Sequence, residues 1–136
     1  MQDFRNLEVW RRAHQLTLQI YKLTDGFPRS EMFGLSSQLR RAAASVATNL
    51  AEGCGRTQGE FGRFVQISFG SACEVEYELL LAKDLGLVPT SEYGVMSDEL
   101  ISIKRMLASL MNRLQIGLAA SGRPKRANVK PATGMS

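Results

Sequence analysis

Two sets of side chains in this sequence have chemistry to offer, a run of carboxylates and a scatter of arginines. Glu74, Glu76, Glu78 and Asp84 crowd one stretch. Glu74 and Glu78, four residues apart, share a face if that stretch is helical. Paired carboxylates can hold a metal ion or divide acid and base roles between them. In helical proteins such sites commonly pair glutamate with histidine at Glu-x-x-His spacing. The single histidine here, His14, has no ligand-type residue at useful spacing. No metal, cofactor or catalytic site is therefore expected, and the acids read as a solvated face or as partners for arginines.

The arginines are Arg11 and Arg12, the adjacent pair Arg40 and Arg41, then Arg56 and Arg63. Brought together, Arg40, Arg41, Arg56 and Arg63 could act as positioning charges on phosphates. The alternative is pairing with Glu52, Glu60 and Glu74 within or between subunits. Phe61, Phe64 and Phe69 do not interleave with the basic residues as a base-stacking platform would; they read as core. Trp10 and Tyr21 read as a packing stripe. Gly53, Gly55, Gly59 and Gly62 are dense, but without the lysine and preceding strand of a phosphate-binding loop. They suit a helix stop, a turn and a tight packing point. Cys54, in a predicted loop, and Cys73, in a predicted helix, are expected to be reduced thiols.

Four stretches carry apolar residues at alternating spacings of four and three. They are Val9, Ala13, Leu16, Ile20, Leu23, Phe27; Leu35, Leu39, Ala42, Val46, Leu50; Phe61, Val65, Ser68, Ala72, Val75, Leu79, Ala82; and Leu100, Ile103, Leu107, Leu110, Leu114. That period predicts four helices, and no stretch has sustained strand alternation. The first helix is expected from Asn6 as N-cap to about Thr24, before Asp25, Gly26 and Pro28. The second is expected to start near Ser30 or Leu35 and end at Glu52, with Gly53 in the left-handed position. Thr57 and Glu60 form a capping-box pattern that opens the third, which runs to Leu85 before Gly86. The fourth starts between Thr90 and Ser97 and runs to about Ala120. The middle of the second helix is small: Ala42, Ala43, Ala44, Ser45, Ala47, Ala51. Either this reflects helix propensity, or the helix packs in its own bundle and against another subunit.

At 136 residues the chain is the length of one domain. The predicted architecture is an all-α, antiparallel, up-down-up-down four-helix bundle over residues 1–120, followed by a basic tail over 121–136 that should be disordered in isolation. The tail holds Arg123, Lys125, Arg126 and Lys130 and no acid. Removing those four from the 17 Lys and Arg leaves as many basic residues as the 13 acids, so the net charge of +4 lies wholly in the tail. No apolar run approaches the ~20 residues of a membrane span, and no signal-peptide pattern opens the chain; a cytoplasmic protein without membrane contact is expected.

Several segments together resemble one bacterial family. They are Phe4-x-x-Leu7-x-Val9-Trp10-x-x-Ala13, Ile20-Tyr21-x-x-Thr24-x-x-Phe27-Pro28, Glu31-x-x-Gly34-Leu35-x-x-Gln38-Leu39-Arg40-Arg41-Ala42, Asn49-x-Ala51-Glu52-Gly53, Arg56, Glu60-Phe61, Arg63-Phe64 and Gly70-Ser71-x-x-Glu74. The sequence is similar, from about Phe4 to Leu114, to the four helix bundle proteins first noticed as products of intervening sequences in large-subunit ribosomal RNA genes. The resemblance implies an antiparallel bundle and ring-like pentamers. It also implies kinship with the accessory variability proteins of diversity-generating retroelements, which bind nucleic acid and a reverse transcriptase. It brings no catalytic residues. Ala44 and Ala47 depart from relatives, which often carry a branched residue and a proline there.

The expectation is a non-enzymatic, homo-oligomeric adaptor, a pentamer, that binds structured RNA or another nucleic acid. Arg40, Arg41, Arg56, Arg63, Arg123, Lys125, Arg126 and Lys130 are the candidate phosphate contacts. Ala43, Ala47, Asn49, Glu52 and Glu74 are the candidate subunit contacts. The alternative is a ring-shaped scaffold for a protein partner that does not itself touch nucleic acid.

Overall fold

A computed structural model describes residues 2–120, with side-chain surroundings through Leu114. Four helices account for nearly all of it: α1 (Glu8–Asp25), α2 (Leu35–Cys54), α3 (Gln58–Asp84) and α4 (Thr90–Ala120). No strand occurs among the described residues. The tail residues 121–136 lie outside them.

The predicted stripes meet in one core. Ile20 of α1, Leu39 and Leu50 of α2, Val65, Val75 and Leu79 of α3, and Leu100, Ile103 and Leu107 of α4 are fully buried. Each stripe is buried on two neighbouring helices, α1 on α2, α2 on α3, α3 on α4, and α4 on α1, as expected where period-3.6 apolar faces must leave water together. Phe27, beyond the end of α1, closes one end of the core.

Helix boundaries follow local chemistry at some ends and packing at others. Thr57 caps α3 as predicted, its hydroxyl accepting from the Glu60 N–H at 3.3 Å. Gly86 ends the same region with φ +80°. The Leu87 N–H donates to the Ala82 carbonyl and the Gly86 N–H to that of Lys83, both at 2.9 Å. This is the Schellman arrangement, which needs a left-handed residue where glycine is least strained.

Two predicted ends are corrected. Asn6 is not the N-cap of α1. It closes a 3-10 turn over Phe4–Asn6, which Asp3 caps by accepting from the Arg5 N–H at 3.0 Å. Leu7 is the residue before α1 and offers no side-chain cap; its apolar side chain packs on the core with Phe4 and Trp10. Glu8 in the first turn supplies the charge that favours the bare N–H groups. Gly53 is not a left-handed stop either, because α2 continues through it to Cys54. Cys54 is therefore helical and buried rather than in a loop, and both cysteines are unbridged.

α1 and α4 are tied by a fork: Arg12 Nε donates to Glu99 Oε2 at 2.9 Å and Nη2 to Oε1 at 2.8 Å. The two side chains are 35% and 28% exposed, so solvent screens part of the attraction. Arg12→Lys keeps the charge and loses the fork. The expected loss is about 1 kcal/mol, read as a lower urea midpoint at unchanged slope.

No helix among the described residues is long and apolar enough to cross a membrane.

Candidate nucleic-acid interface

The α2 arginines, adjacent in sequence, go separate ways because one helical residue turns about 100°. Arg40 faces α1. Its Nε donates to Thr24 Oγ1 at 2.7 Å and its Nη2 to the Asp25 carboxylate at 2.8 Å, while the guanidinium covers the Tyr21 ring at 4.7 Å. Tyr21 is accordingly half-exposed rather than part of a buried stripe. Arg41 faces α3 and lines a pocket of about 390 Å³ with Gln38, Ser45, Glu74 and Glu78. Both therefore have carboxylates beside them.

Arg56 and Arg63 are brought together. Both guanidinium groups sit over Phe64, at 5.2 and 5.6 Å from its centroid. Phe64 reaches that position because Gly53 has no side chain: a Cβ there would lie 2.8 Å from Phe64 Cβ and from Phe61 Cδ1. The glycine at 53 is the tight packing point of the glycine-dense stretch. Arg56 also donates to Glu52 at 2.9 Å, one turn back on α2.

Arg113 of α4 joins this neighbourhood. It lines a pocket with Gly53, Cys54, Arg56 and Phe61, and a second with Arg105, Leu7 and Glu8. The sequence alone does not single out Arg105 and Arg113, since neither is near another arginine of the cluster in the chain. Their spacing of eight on one helix is the signal the sequence offers. The region around the α2–α3 turn thus gathers Arg56, Arg63 and Arg113, with the acids Glu52, which Arg56 holds, and Glu60 in the first turn of α3. Such a surface can position phosphates through charge without reading bases. Arg123, Lys125, Arg126 and Lys130 lie outside the described residues.

The candidate subunit contacts separate similarly. Ala43 and Ala47 are 1% and 9% exposed and lie in the chain's own core. The small residues of α2 admit its neighbours within the same chain. Thr17 Oγ1 of α1 lies 3.1 Å from the Ala43 carbonyl, and Ser68 Oγ of α3 donates to the Val46 carbonyl at 2.9 Å. Asn49 donates to the Ser45 carbonyl and hydroxyl at 2.9 and 3.0 Å. Glu52 is held by Arg56, and Glu74 is exposed at the α2–α3 seam.

No group of three or more His, Cys, Asp or Glu residues is placed to hold a metal among the described residues. His14 stacks on Trp10, centroids 5.0 Å apart. Burial, then the Asp3 charge, pushes the Cys54 thiol above its ordinary range, which disfavours the reactive thiolate. Burial and the Glu74 charge likewise raise the Glu78 carboxyl, opposed by Arg41.

The fold agrees with comparisons to known proteins. A crystal structure of a protein of unknown function from the S23 ribosomal protein family of Bacteroides thetaiotaomicron superposes with a TM-score of 0.71. The two are 21% identical, over 76% of this chain and 97% of the other. That likeness establishes the shared fold. No protein of curated function matches the chain. Residues 5–109 match the family model described as 23S rRNA-intervening sequence protein. With most of its length covered by that match, the chain belongs to the 23S rRNA-intervening sequence protein family.

Proposed function

We propose that this protein is a non-enzymatic, oligomeric adaptor that associates with structured RNA through phosphate contacts. The observation that supports it best is the pairing of Arg56 and Arg63 over Phe64 at the α2–α3 turn, with Arg113 in a pocket beside Arg56. The tail residues Arg123, Lys125, Arg126 and Lys130 would add charge to the same role. Arg40 is a weaker contributor because Thr24 and Asp25 hold it against α1, and Arg41 because two carboxylates, Glu74 and Glu78, share its pocket. A pentamer is the assembly the family resemblance implies, and a monomer mass in sedimentation equilibrium at micromolar concentration refutes it.

The test is binding of a labelled RNA hairpin followed across salt concentrations. Log affinity should fall linearly with log salt as cations are released from phosphates. Replacing Arg56, Arg63 and Arg113 by alanine, singly and together, should lower that slope by about one per arginine, with similar losses for unrelated hairpins. A flat salt dependence, or no binding at low salt, ends this reading. Ending the chain at Ala120 separates the contribution of the tail.

A second reading, a scaffold for a protein partner, rests on the α1–α2 connection. Phe33 is 93% exposed there, with Met32 and Tyr21 half-exposed beside it. Pull-downs from nuclease-treated lysate discriminate: a scaffold keeps its partner and loses it on Phe33→Ser, whereas an RNA adaptor loses its associates to nuclease alone.

A further inference from the structure

The seam between α2 and α3 is polar on its outer side. Gln38, Arg41 and Ser45 of α2 face Ser71, Glu74 and Glu78 of α3. One half is closed, since the Ser45 and Ser71 hydroxyls bond at 2.8 Å and Asn49 donates to Ser45. The other half is an open pocket lined by Gln38, Arg41, Ala42, Ser45, Glu74 and Glu78. Glu78 is only 7% exposed. Its Oε1 is shut off from solvent and accepts no hydrogen bond among the described residues.

Buried acceptors nearly always have a donor, and an ionised carboxylate has room for several. Here two carboxylates face a single guanidinium, that of Arg41, which makes no ion pair with either. The pocket is therefore one positive charge short and rich in unfilled acceptor sites. A divalent metal fits poorly, because it wants more oxygen ligands than two carboxylates supply and would be repelled by Arg41. A guanidinium fits well: it carries a single charge and five donors in a plane that matches a carboxylate.

We infer that this pocket is a socket for one arginine side chain of a second copy of the protein. The inference rests on the oligomeric reading above and names the contact that such an assembly would use. The chain itself carries the complementary groups: Arg29, Arg63, Arg105 and Arg113 form no ion pair among the described residues. The outer side of α3 also leaves apolar surface to cover, since Ile67, on the same helical face as Glu74, is 40% exposed. Only the ionised Glu78 binds a guanidinium strongly. Glu74 on its own helix and Arg41 on α2 are the charged groups facing it, and together with burial they leave its carboxyl above the ordinary range. Assembly therefore tightens as pH rises through that raised value.

Sedimentation velocity of the full chain tests this, with wild type, Glu78→Gln and Glu74→Gln compared across pH. Glu78→Gln should weaken association roughly tenfold or more and abolish its pH dependence. Agmatine, a free alkylguanidinium, should compete with wild-type assembly and leave Glu78→Gln unaffected. Neutralising Arg29, Arg63, Arg105 and Arg113 in turn to glutamine should identify one position that reproduces the loss. Combining it with Glu78→Gln should add nothing further. Circular dichroism keeps the comparison to folded variants. An assembled wild type that Glu78→Gln leaves unchanged, or for which none of the four arginines matters, overturns the socket and leaves the oligomeric reading standing. A monomeric wild type overturns both.

Discussion

Gly53→Ala should destabilise this protein, although the same change at Gly70 should stabilise it. Both glycines lie within helices, where alanine is ordinarily favoured by about 0.5–1 kcal/mol. At Gly70, midway along α3, nothing lies within 4 Å of where a Cβ would stand, so the ordinary gain applies. At Gly53 the same atom would lie 2.8 Å from Phe64 Cβ and from Phe61 Cδ1. Phe61 can turn its ring. Phe64 Cβ is fixed to the α3 backbone, so relief requires the first turns of α3 to move away from α2. Overpacking of this kind costs about 1–3 kcal/mol, more than propensity returns. Gly53→Val should be worse again, since it adds bulk and a stiff side chain. Urea midpoints at constant slope measure all three variants. The displacement reaches the candidate RNA surface too, because Arg56 and Arg63 both rest on Phe64. Gly53→Ala should therefore also weaken RNA binding, and Gly70→Ala should not. A stabilised Gly53→Ala would show that α3 shifts at no cost and that this packing point is not tight.

That glycine also shows where the sequence is readable and where it is not. The four apolar stripes are legible because burial of a helical face imposes its own period on the chain, and every stripe residue from Val9 to Leu107 is at least partly buried in the core. Thr57 and Gly86 are legible because each solves a local problem, an uncapped N–H and a left-handed residue. Asn6 and Gly53 mislead for the complementary reason. Each has the local preference of a helix end, but packing of Phe4 and Leu7 sets one boundary and packing of Phe61 and Phe64 against α2 the other. Function is harder to read because its residues meet across helices. Arg40 and Arg41 look like a pair in the chain and serve different neighbours in space. Arg113 looks isolated and shares a pocket with Arg56. Alanine at 43 and 47 suggests a surface for another subunit, whereas the close approach it permits is to this chain's own α1 and α3.

Glu78→Gln should raise the stability of the unassembled chain at neutral pH by about 1–2 kcal/mol. The carboxyl of Glu78 is held above its ordinary range first by burial and then by Glu74, with Arg41 opposing. In the unfolded chain the same group titrates at about 4.3. Between that value and the raised folded one, the folded state keeps a proton that the unfolded state releases. Stability is then full below the ordinary glutamate range and declines as pH rises through the raised value. Glutamine cannot ionise, so this part of the decline should vanish in the variant and the two curves should converge at acid pH. The measurement is urea unfolding at protein concentrations where the chain is monomeric, because a second copy would supply a partner for the carboxylate and mask the effect. Lys104 provides a contrast of opposite sign. Its hydrogen bond to Glu76 raises the ammonium pKa, so Lys104→Met should lose stability at the neutral pH where Glu78→Gln gains it. Curves for wild type and Glu78→Gln that stay parallel from acid to neutral pH would mean that Glu78 finds a partner within its own chain, and would remove the physical basis for a socket awaiting one from another.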